Sequence, residues 1–202
     1  MAVWAFQALH GLPKDGIVTP EIEWQVASAE PVSMLRPDLG PTHTEVDLDK
    51  QVLLVWGDGQ LELVTHVSSG SGVAYCEDGH CGDAVTPVGD YTYERRIEGP
   101  RHAPLGVLYS PVYFVGGIAV HGAPSVPNHP ASHGCVRIPM RISAYFQGLV
   151  ANGVRTYITS RKTAECDAAA ARLSEKGECT SIPADLASEE GLAAFVAAFG
   201  ER

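Results

Sequence analysis

The order of hydrophobic and polar positions predicts strands joined by tight turns through the middle of the chain. Residues 44–48 alternate polar and apolar side chains, which is typical of a half-buried strand. Residues 51–56 are almost continuously apolar and predict a strand that is buried. Asp58-Gly59 then predicts a hairpin turn into a third strand at 61–68.

A second set of patterns places a helix between strands. Residues 110–120 predict two strands that bring the next residue, a histidine, to the end of a sheet. The apolar positions that follow recur at i, i+3, i+4, i+7 and i+8, the spacing of an amphipathic helix. They are Ile142, Tyr145, Phe146, Leu149 and Val150. Gly153 ends this helix, and residues 154–158 return as a strand.

The first residues predict a pair of short helices. Gly11 lies where a helix commonly ends, and Asp15-Gly16 predicts a turn. Thr19-Pro20 has the form of an N-cap followed by a proline in the first helical position, so the second helix runs to about Ala29. The chain therefore opens with a helix–turn–helix unit.

Pro- and Gly-rich residues separate this unit from the β-rich region, and an Ala-rich segment follows it. The tail has helical patterns and no residues that suggest chemistry, so we expect a helical appendage that covers the domain or, alternatively, binds a partner. The expected units are a helical module at 1–30, a linker at 31–42, a β-rich domain at 43–160 and the tail at 161–202.

Composition indicates an ordinary globular protein and excludes some classes of partner. The chain has 202 residues, of which 45% are hydrophobic and 19% charged. Its net charge of −10, without clustered Lys or Arg, argues against nucleic acid as a partner. No apolar run approaches the roughly 20 residues of a membrane span, and the first residues lack the pattern of a signal peptide.

Candidate chemistry is concentrated around one cysteine. Val120-His121-Gly122 is followed, after a Pro-rich loop, by a string from Ser132 to Arg137 that contains Cys135. A thiol needs a base to become a useful nucleophile, and a neighbouring glycine lets a substrate carbonyl approach backbone N–H groups. A lone cysteine is more often a small buried hydrophobe, so it is the whole string that favours catalysis.

The string Ser132-His133-Gly134-Cys135-Val136-Arg137, with a histidine upstream, closely resembles the signature of the L,D-transpeptidases. These cysteine enzymes cross-link bacterial peptidoglycan. A second box of that family, Thr-Pro-x-Gly-x-Phe/Tyr, is matched by residues 86–91. The resemblance spans about residues 43–160 and implies a mainly β fold, an L,D-transpeptidase-type β-sandwich with a short helix after the catalytic cysteine.

The opening helices resemble the second half of a peptidoglycan-binding repeat. Phe6-Gln7, Gly11-Leu12, Asp15-Gly16 and Thr19-Pro20 carry this likeness, over about 30 residues. The repeat is roughly twice as long, so we expect that this is a partial module and that an export leader belongs before it. A helix–turn–helix without glycan binding is the alternative.

The resemblance also implies the roles of the residues around the thiol. Cys135 is the nucleophile, and His121 is the general base, oriented by the backbone carbonyl of Gly122. A nearby base or positive charge is expected to favour the thiolate. His133 is the rival base or shapes the site, and its N–H joins those of Gly134 and Cys135 in an oxyanion hole.

Three further residues are candidates for substrate binding. Arg137 is either a clamp for a substrate carboxylate or a member of a structural ion pair. Tyr113 either lines the acyl-donor cleft or belongs to the core, and Ser132 is placed beside the substrate by its position in the string. No metal or organic cofactor is expected, because thiol, imidazole and amide dipoles suffice for acyl transfer.

The other cysteines form two couples that are close in sequence. Removing Cys135 from the five leaves Cys76 with Cys81 and Cys166 with Cys179, and we expect both couples to be disulfides. That usage favours an extracytoplasmic location, in the cell envelope or periplasm. A zinc site at Cys76, His80 and Cys81 is one alternative, although it lacks a convincing fourth ligand, and free thiols in a cytosolic protein are another.

The implied reaction is acyl transfer between peptidoglycan stem peptides. The cysteine attacks the carbonyl of the third stem residue, a diamino acid, and releases D-alanine. The amine of a neighbouring stem then takes the acyl group, and carbapenem-type β-lactams are expected to acylate the same thiol. Water as acceptor would give an L,D-carboxypeptidase, and a protein acceptor a ligase. A non-catalytic wall-binding module is the remaining alternative.

Overall fold

The computed structural model describes residues 2–160, in which two β-sheets pack face to face. Helices α1, α2 and α3 are Ala2–Leu9, Pro20–Ser28 and Met140–Leu149, and Pro37–Leu39 is a short 3₁₀ turn. The strands are β1 (His43–Asp47), β2 (Val52–Gly57), β3 (Gln60–His66), β4 (Ala74–Glu77), β5 (His80–Asp83), β6 (Gly89–Thr92), β7 (Arg95–Arg96), β8 (Pro100–Ala103), β9 (Gly106–Val115), β10 (Ile118–Ala123), β11 (Val136–Pro139) and β12 (Arg155–Thr159).

The strand order confirms the predicted mainly β sandwich. One sheet has the order β3-β2-β1-β12-β6, and the other has β11-β10-β9-β7 with β8 also paired to β9. The predicted hairpin joins β2 to β3, and Asp58 and Gly59 in its turn have φ of 50° and 79°. After α3 the chain returns as β12, which runs parallel to β1 at the centre of its sheet. Strands β4 and β5 form a separate hairpin.

The main core lies between the two sheets and beneath α3. Its fully buried side chains include Phe114 from β9, Ile138 from β11 and Phe146 from α3. Phe146 also packs edge-on against Tyr93, at 5.8 Å between ring centroids. Packing these rings against both sheets fixes the position of β10 and β11, because dense cores leave little room for strands to shift.

Strand β2 is apolar throughout because both of its faces are covered. Leu53 and Val55 point into the core between the sheets, whereas alternate residues point to the opposite face. On that outer face Val52 and Leu54 pack against α1, whose Ala5 is 2% exposed. Helix α1 therefore replaces solvent on a sheet face that would otherwise expose apolar side chains.

The two N-terminal helices differ in how far they are buried. Helix α2 begins as predicted, with Thr19 Oγ1 accepting a hydrogen bond from Ile22 N at 3.2 Å, but none of its residues is buried. The loop between the helices reaches the Pro-rich loop that precedes Cys135. There Lys14 Nζ donates to Asn128 O at 3.0 Å, and Asn128 Nδ2 donates to Lys14 O at 2.9 Å.

Two further expectations concern helices. The predicted tail over 161–202, with Cys166 and Cys179, lies outside the described residues. Over residues 2–160, none of the helices has the length and apolar character that crossing a bilayer requires.

Candidate active site

The candidate site lies where β10 and β11 run side by side. The parallel register pairs Val120 with Val136 and His121 with Arg137. Because side chains alternate along a strand, the two valines enter the core while His121 and Arg137 face the other way. They line a cleft of about 850 Å³ that Cys135 also lines. The structure thus brings together the histidine and cysteine that the sequence analysis paired.

His121 is buried and held in one tautomer. It is 6% exposed, and its Nδ1 lies 2.8 Å from the carbonyl oxygen of Gly122. A carbonyl only accepts hydrogen bonds, so Nδ1 carries the proton and Nε2 keeps its lone pair. Burial lowers the pKa of His121, and the nearby charge of Arg137 lowers it further, while the bond to Gly122 opposes the shift. The neutral imidazole is the form of a general base.

Gly122 is required by the packing of α3. A Cβ at this position would lie 2.3 Å from the hydroxyl oxygen of Ser143 and 3.3 Å from the Cα of Met140. The absence of a side chain lets the first turn of α3 approach the strand next to His121. The same residue therefore supplies the carbonyl that orients the imidazole and the space that the helix occupies.

Cys135 is partly exposed where it lines the cleft. Its Sγ lies 3.9 Å from the carbonyl oxygen of Gly117, to which it donates. Burial raises the pKa of the Cys135 thiol, while a hydrogen bond from the Ala119 backbone and the charge of Arg137 lower it in part. Burial has the largest effect, so the thiol form is favoured at neutral pH.

The directions of these two pKa shifts contradict the expectation that Cys135 rests as a thiolate. Desolvation disfavours both the Cys135 thiolate and the His121 imidazolium, so the resting pair is a neutral thiol and a neutral imidazole. Sequence cannot show this, since it depends on how much protein encloses each group. A neutral pair of this kind has the chemistry for a concerted step, in which a thiol passes its proton to Nε2 as the sulfur attacks, without a preformed ion pair.

The turn before Cys135 is held by its own serine. Ser132 is 2% exposed, and its hydroxyl donates to Cys135 O at 2.5 Å and accepts from Gly134 N at 3.0 Å. The Gly134 N–H, expected to face an oxyanion, is thus turned towards Ser132. Ser132 itself, expected beside the substrate, has its hydroxyl bonded within the turn. The amides left for an oxyanion are those of His133 and Cys135.

Thr86 is a functional residue whose role the sequence analysis missed. Thr86 is the first residue of the second family box, and its hydroxyl donates to Gly134 O at 2.6 Å and accepts from Gly70 N at 2.9 Å. Gly134 has a φ of 132°, and a Cβ there would lie 2.9 Å from Val85 O. The box therefore anchors the turn that presents Cys135. Its occurrence in the same chain as the cysteine string was the signal available in sequence.

His133 lies at the border of the cleft and is held from the β4–β5 hairpin. Its Nε2 lies 3.1 Å from Glu77 Oε1, and its ring contacts that of Tyr75 with centroids 4.6 Å apart. The side chain is 25% exposed, in contrast to the buried His121. A ring nitrogen directed at a carboxylate is a donor, which leaves His133 poorly placed to act as the base.

Arg137 and Tyr113 both line the cleft. Arg137 has no carboxylate within ion-pairing distance among residues 2–160, which favours the substrate clamp over the structural ion pair. Tyr113 is 4% exposed and is covered by the Arg95 guanidinium, 3.5 Å from its ring centroid. Tyr113 is therefore a buried tyrosine that also lines the cleft, so it combines the core position and the cleft position that were expected as alternatives.

The Pro-rich loop between His121 and Cys135 is fixed along its length. Ser68 Oγ donates to His129 O at 2.8 Å, and the backbone N–H of Ala131 donates to Ser69 O at 2.9 Å. His66 Nε2 donates to Val126 O at 2.9 Å, so this histidine has a structural role. With these contacts the loop holds a single path between the two reacting residues.

Cys76 and Cys81 are joined in a disulfide, as predicted, and they are directly paired residues of the β4–β5 hairpin. A disulfide leaves no thiolate for zinc, so the alternative zinc site with His80 is wrong. Cys135 is the free cysteine of the described residues. The second predicted disulfide, between Cys166 and Cys179, lies outside the described residues.

Comparison with known proteins identifies the class of this β-sandwich and its cleft. The YkuD family model, described as the L,D-transpeptidase catalytic domain, matches residues 41–158. The chain belongs to this family of L,D-transpeptidase catalytic domains. The match contains the cleft together with both sheets.

Solved structures agree with this assignment. The chain is 36% identical to a crystal structure of the L,D-transpeptidase (residues 123–326) from Xylanimonas cellulosilytica DSM 15894, with a TM-score of 0.69 and 78% of each chain covered. An L,D-transpeptidase from Stackebrandtia nassauensis shares the fold at 21% identity, with a TM-score of 0.51 and coverage of 78% of this chain and 76% of that one.

One curated relative matches over a short segment. A rhamnolipids biosynthesis 3-oxoacyl-[acyl-carrier-protein] reductase from Pseudomonas aeruginosa is 46% identical over 55 residues, which is 27% of this chain. The chain spans 22% of the length of that reductase, and so short a match assigns no activity.

Proposed function

We propose that this protein is an L,D-transpeptidase that uses Cys135 to transfer an acyl group between peptidoglycan stem peptides. The observation that carries the proposal is the convergence of Cys135 and a tautomer-fixed His121 in one cleft. Membership of the family supports an enzyme of this kind. The cell envelope or periplasm is the corresponding location, where peptidoglycan is assembled and where the Cys76–Cys81 disulfide persists.

The first half-reaction forms a thioester. Cys135 Sγ attacks the carbonyl carbon of the third stem residue, and His121 Nε2 takes the thiol proton. The negative oxygen of the tetrahedral intermediate is stabilised by the backbone N–H groups of His133 and Cys135. As the C–N bond breaks, His121 returns the proton to the departing D-alanine nitrogen, while Arg137 holds the D-alanine carboxylate.

The second half-reaction transfers the acyl group to an amine. The side-chain amine of a neighbouring stem attacks the thioester carbonyl, and His121 accepts the proton that the amine loses. The C–S bond breaks, and the sulfur regains a proton from His121. The product links two third-position residues. A carbapenem-type β-lactam would acylate the same sulfur by opening its ring.

Incubation with a disaccharide-tetrapeptide, followed by mass analysis of the products, tests the proposal. A dimer that has lost one D-alanine is the expected product. A trimmed monomer alone would show that water is the acceptor and that the enzyme is an L,D-carboxypeptidase. If the substrate is unchanged and no thioester is trapped on Cys135, the remaining hypothesis is a non-catalytic wall-binding module. Adding a candidate envelope protein as acceptor separates the ligase alternative.

A further inference from the structure

The turn that joins β1 to β2 contains a buried glutamine in a backbone conformation that glutamine rarely adopts. Gln51 is 2% exposed and has a φ of 57°, in the left-handed region. Asp58 and Asp78 also have positive φ, but they lie in exposed hairpin turns, where aspartate tolerates this conformation. A strained residue persists where the surrounding structure requires it, so the contacts of Gln51 indicate its role.

Gln51 binds one short segment, residues 67–71, with both its backbone and its side chain. Gln51 O accepts from Val67 N at 2.8 Å, and Gln51 Oε1 accepts from Ser69 N at 2.9 Å. Gln51 Nε2 donates to Ser69 Oγ at 2.8 Å and also to Leu48 O. Ser69 is 3% exposed, so loss of these bonds would leave its polar groups buried without water to replace Gln51.

Ser69 in turn holds the residues that lead to Cys135. Its carbonyl oxygen accepts from the backbone N–H groups of Ala131 and Ser132, both at 2.9 Å. Ser132 Oγ then donates to Cys135 O and accepts from Gly134 N. The route from Gln51 to Cys135 therefore passes through Ser69 and Ser132, and each step is a hydrogen bond.

We propose that Gln51 is a positioning residue for acyl transfer, which fixes Ser69 and, through Ser132, the direction of the His133 and Cys135 amides. This inference rests on the proposed function, in which those amides stabilise the oxyanion. Such donors are effective only when they are fixed before the reaction, and a buried side-chain amide bonded at both ends provides that rigidity. In its left-handed conformation Gln51 reaches segment 67–71 with its carbonyl and its side chain at once.

The position of Gln51 separates an effect on the reaction from an effect on binding. Gln51 and Ser69 are not among the described residues that line the cleft. A change at Gln51 should therefore alter the maximal rate of acylation and leave the affinity for the acyl donor almost unchanged.

Gln51→Asn tests the reach of the side chain separately from the backbone. Asparagine keeps the amide and tolerates a left-handed φ better than glutamine, but it is one methylene shorter and cannot hold both Ser69 N and Ser69 Oγ. The maximal single-turnover rate of Cys135 acylation by a carbapenem should fall by roughly tenfold to a hundredfold, with little change in the half-saturating concentration. Alkylation by iodoacetamide, which forms no oxyanion, should change little. Gln51→Gly also suits the left-handed φ and should lose at least as much, so it serves if the Asn variant is unstable.

Gln147→Asn is the matched control. Gln147 is a buried glutamine of α3 whose Nε2 donates to Ile97 O at 2.8 Å, so the same shortening removes a similar bond elsewhere. Its acylation and alkylation rates should stay close to those of the wild type. Equal falls of acylation and alkylation in Gln51→Asn, or an acylation rate that survives both Gln51 substitutions, would overturn the inference.

Amide hydrogen exchange tests the same link without an acyl donor. In Gln51→Asn the N–H groups of Ala131 and Ser132 should exchange about tenfold faster than in the wild type or more, because Ser69 no longer holds its place. The Tyr93 N–H, which donates to Val154 O at 2.9 Å, should exchange as before. Unchanged exchange at Ala131 and Ser132 would also overturn the inference. If no donor acylates wild-type Cys135, the proposed function fails, while hydrogen exchange still decides whether Gln51 holds the turn.

Discussion

The cleft has two kinds of wall. Strands β10 and β11 form one wall, and the β4–β5 hairpin and β8, which pairs with β9, form the other. On β10 and β11 the neighbours of the reacting residues are core side chains, and Val120 and Val136 are fully buried. The β4–β5 hairpin is mostly exposed, with every residue of β5 open to solvent, and β8 is similar. The hairpins contribute side chains that line the cleft, such as Arg101, but almost nothing to the core.

The difference separates chemistry from recognition. Proton transfer requires the thiol and imidazole to keep their positions to within a fraction of an ångström, and only packed strands provide that. A binding wall tolerates small movements, because charged side chains are long and adaptable. We therefore expect substitutions on β10 and β11 to reduce the rate with every substrate, and substitutions on the hairpins to change which substrate is preferred.

The largest expected effect is that of Cys135→Ala. Removal of the nucleophile should abolish both dimer formation and the covalent adduct with a carbapenem, because no other described cysteine is free. Intact mass after incubation with the β-lactam measures this directly. Far-UV circular dichroism should match the wild type. A variant that still gained the mass of the inhibitor would show that another residue is acylated.

His121→Ala should lower the acylation rate by about 10²–10⁴-fold, the usual contribution of one general base. Because His121 is neutral at rest, the pKa of Cys135 should change little, and the pH profile of iodoacetamide labelling should stay close to that of the wild type. His133→Ala is the control, and we expect a much smaller loss of acylation there. If only the His133 variant lost the rate, the two roles would have to be exchanged.

Thr86→Val should slow acylation by roughly 5- to 150-fold. The substitution keeps the shape but removes two hydrogen bonds that hold Gly134 and Gly70, a loss of about 1–3 kcal/mol if it falls on the reacting geometry. Thr86→Ser retains the hydroxyl and should recover most of the rate. Single-turnover acylation of all three proteins makes the comparison. If Thr86→Val and the wild-type protein were acylated at equal rates, the hydrogen bonds of Thr86 would contribute to folding and not to the acylation step.

Arg137→Gln should shift the pH dependence of both acylation and thiol alkylation to higher pH. The guanidinium disfavours the His121 imidazolium and favours the Cys135 thiolate, so it lowers both pKa values. Removing it should raise both. The acid limb of acylation, which in the wild type lies below the ordinary pKa of histidine, should shift upwards, and alkylation of the thiol should need higher pH. Arg141→Gln should reproduce the wild-type profiles.

The smallest effect is expected from the hairpin disulfide. The double variant Cys76→Ser, Cys81→Ser should lower turnover by no more than a few fold, because the hairpin lies outside the core and meets the turn before Cys135 at His133. The melting temperature should change little for the same reason. A loss as large as that of the His121 variant would show that the hairpin also positions the reacting groups.

The sequence by itself determined the elements and the candidate pair. Alternation located β1, an apolar run located β2 and the Asp58-Gly59 turn located β3. The apolar spacing located α3, and the cysteine string with its upstream histidine located Cys135 and His121. These features are local, since side-chain alternation and turn residues act over a few positions. The sequence of β2 also indicated its tertiary surroundings, because an unbroken apolar run implies that both faces of the strand are covered by protein.

Only the tertiary structure decided how these residues act. The protonation of Cys135 and His121 depends on the protein that encloses them, and the engagement of Gly134 by Ser132 and Thr86 depends on exact distances. The register of β7, β9 and β10 places Arg95 beside Tyr113 and Tyr113 beside Ala119, whose backbone contacts Cys135. Register and burial are properties of the assembled sheets, set by packing over the whole core, and no local pattern contains them.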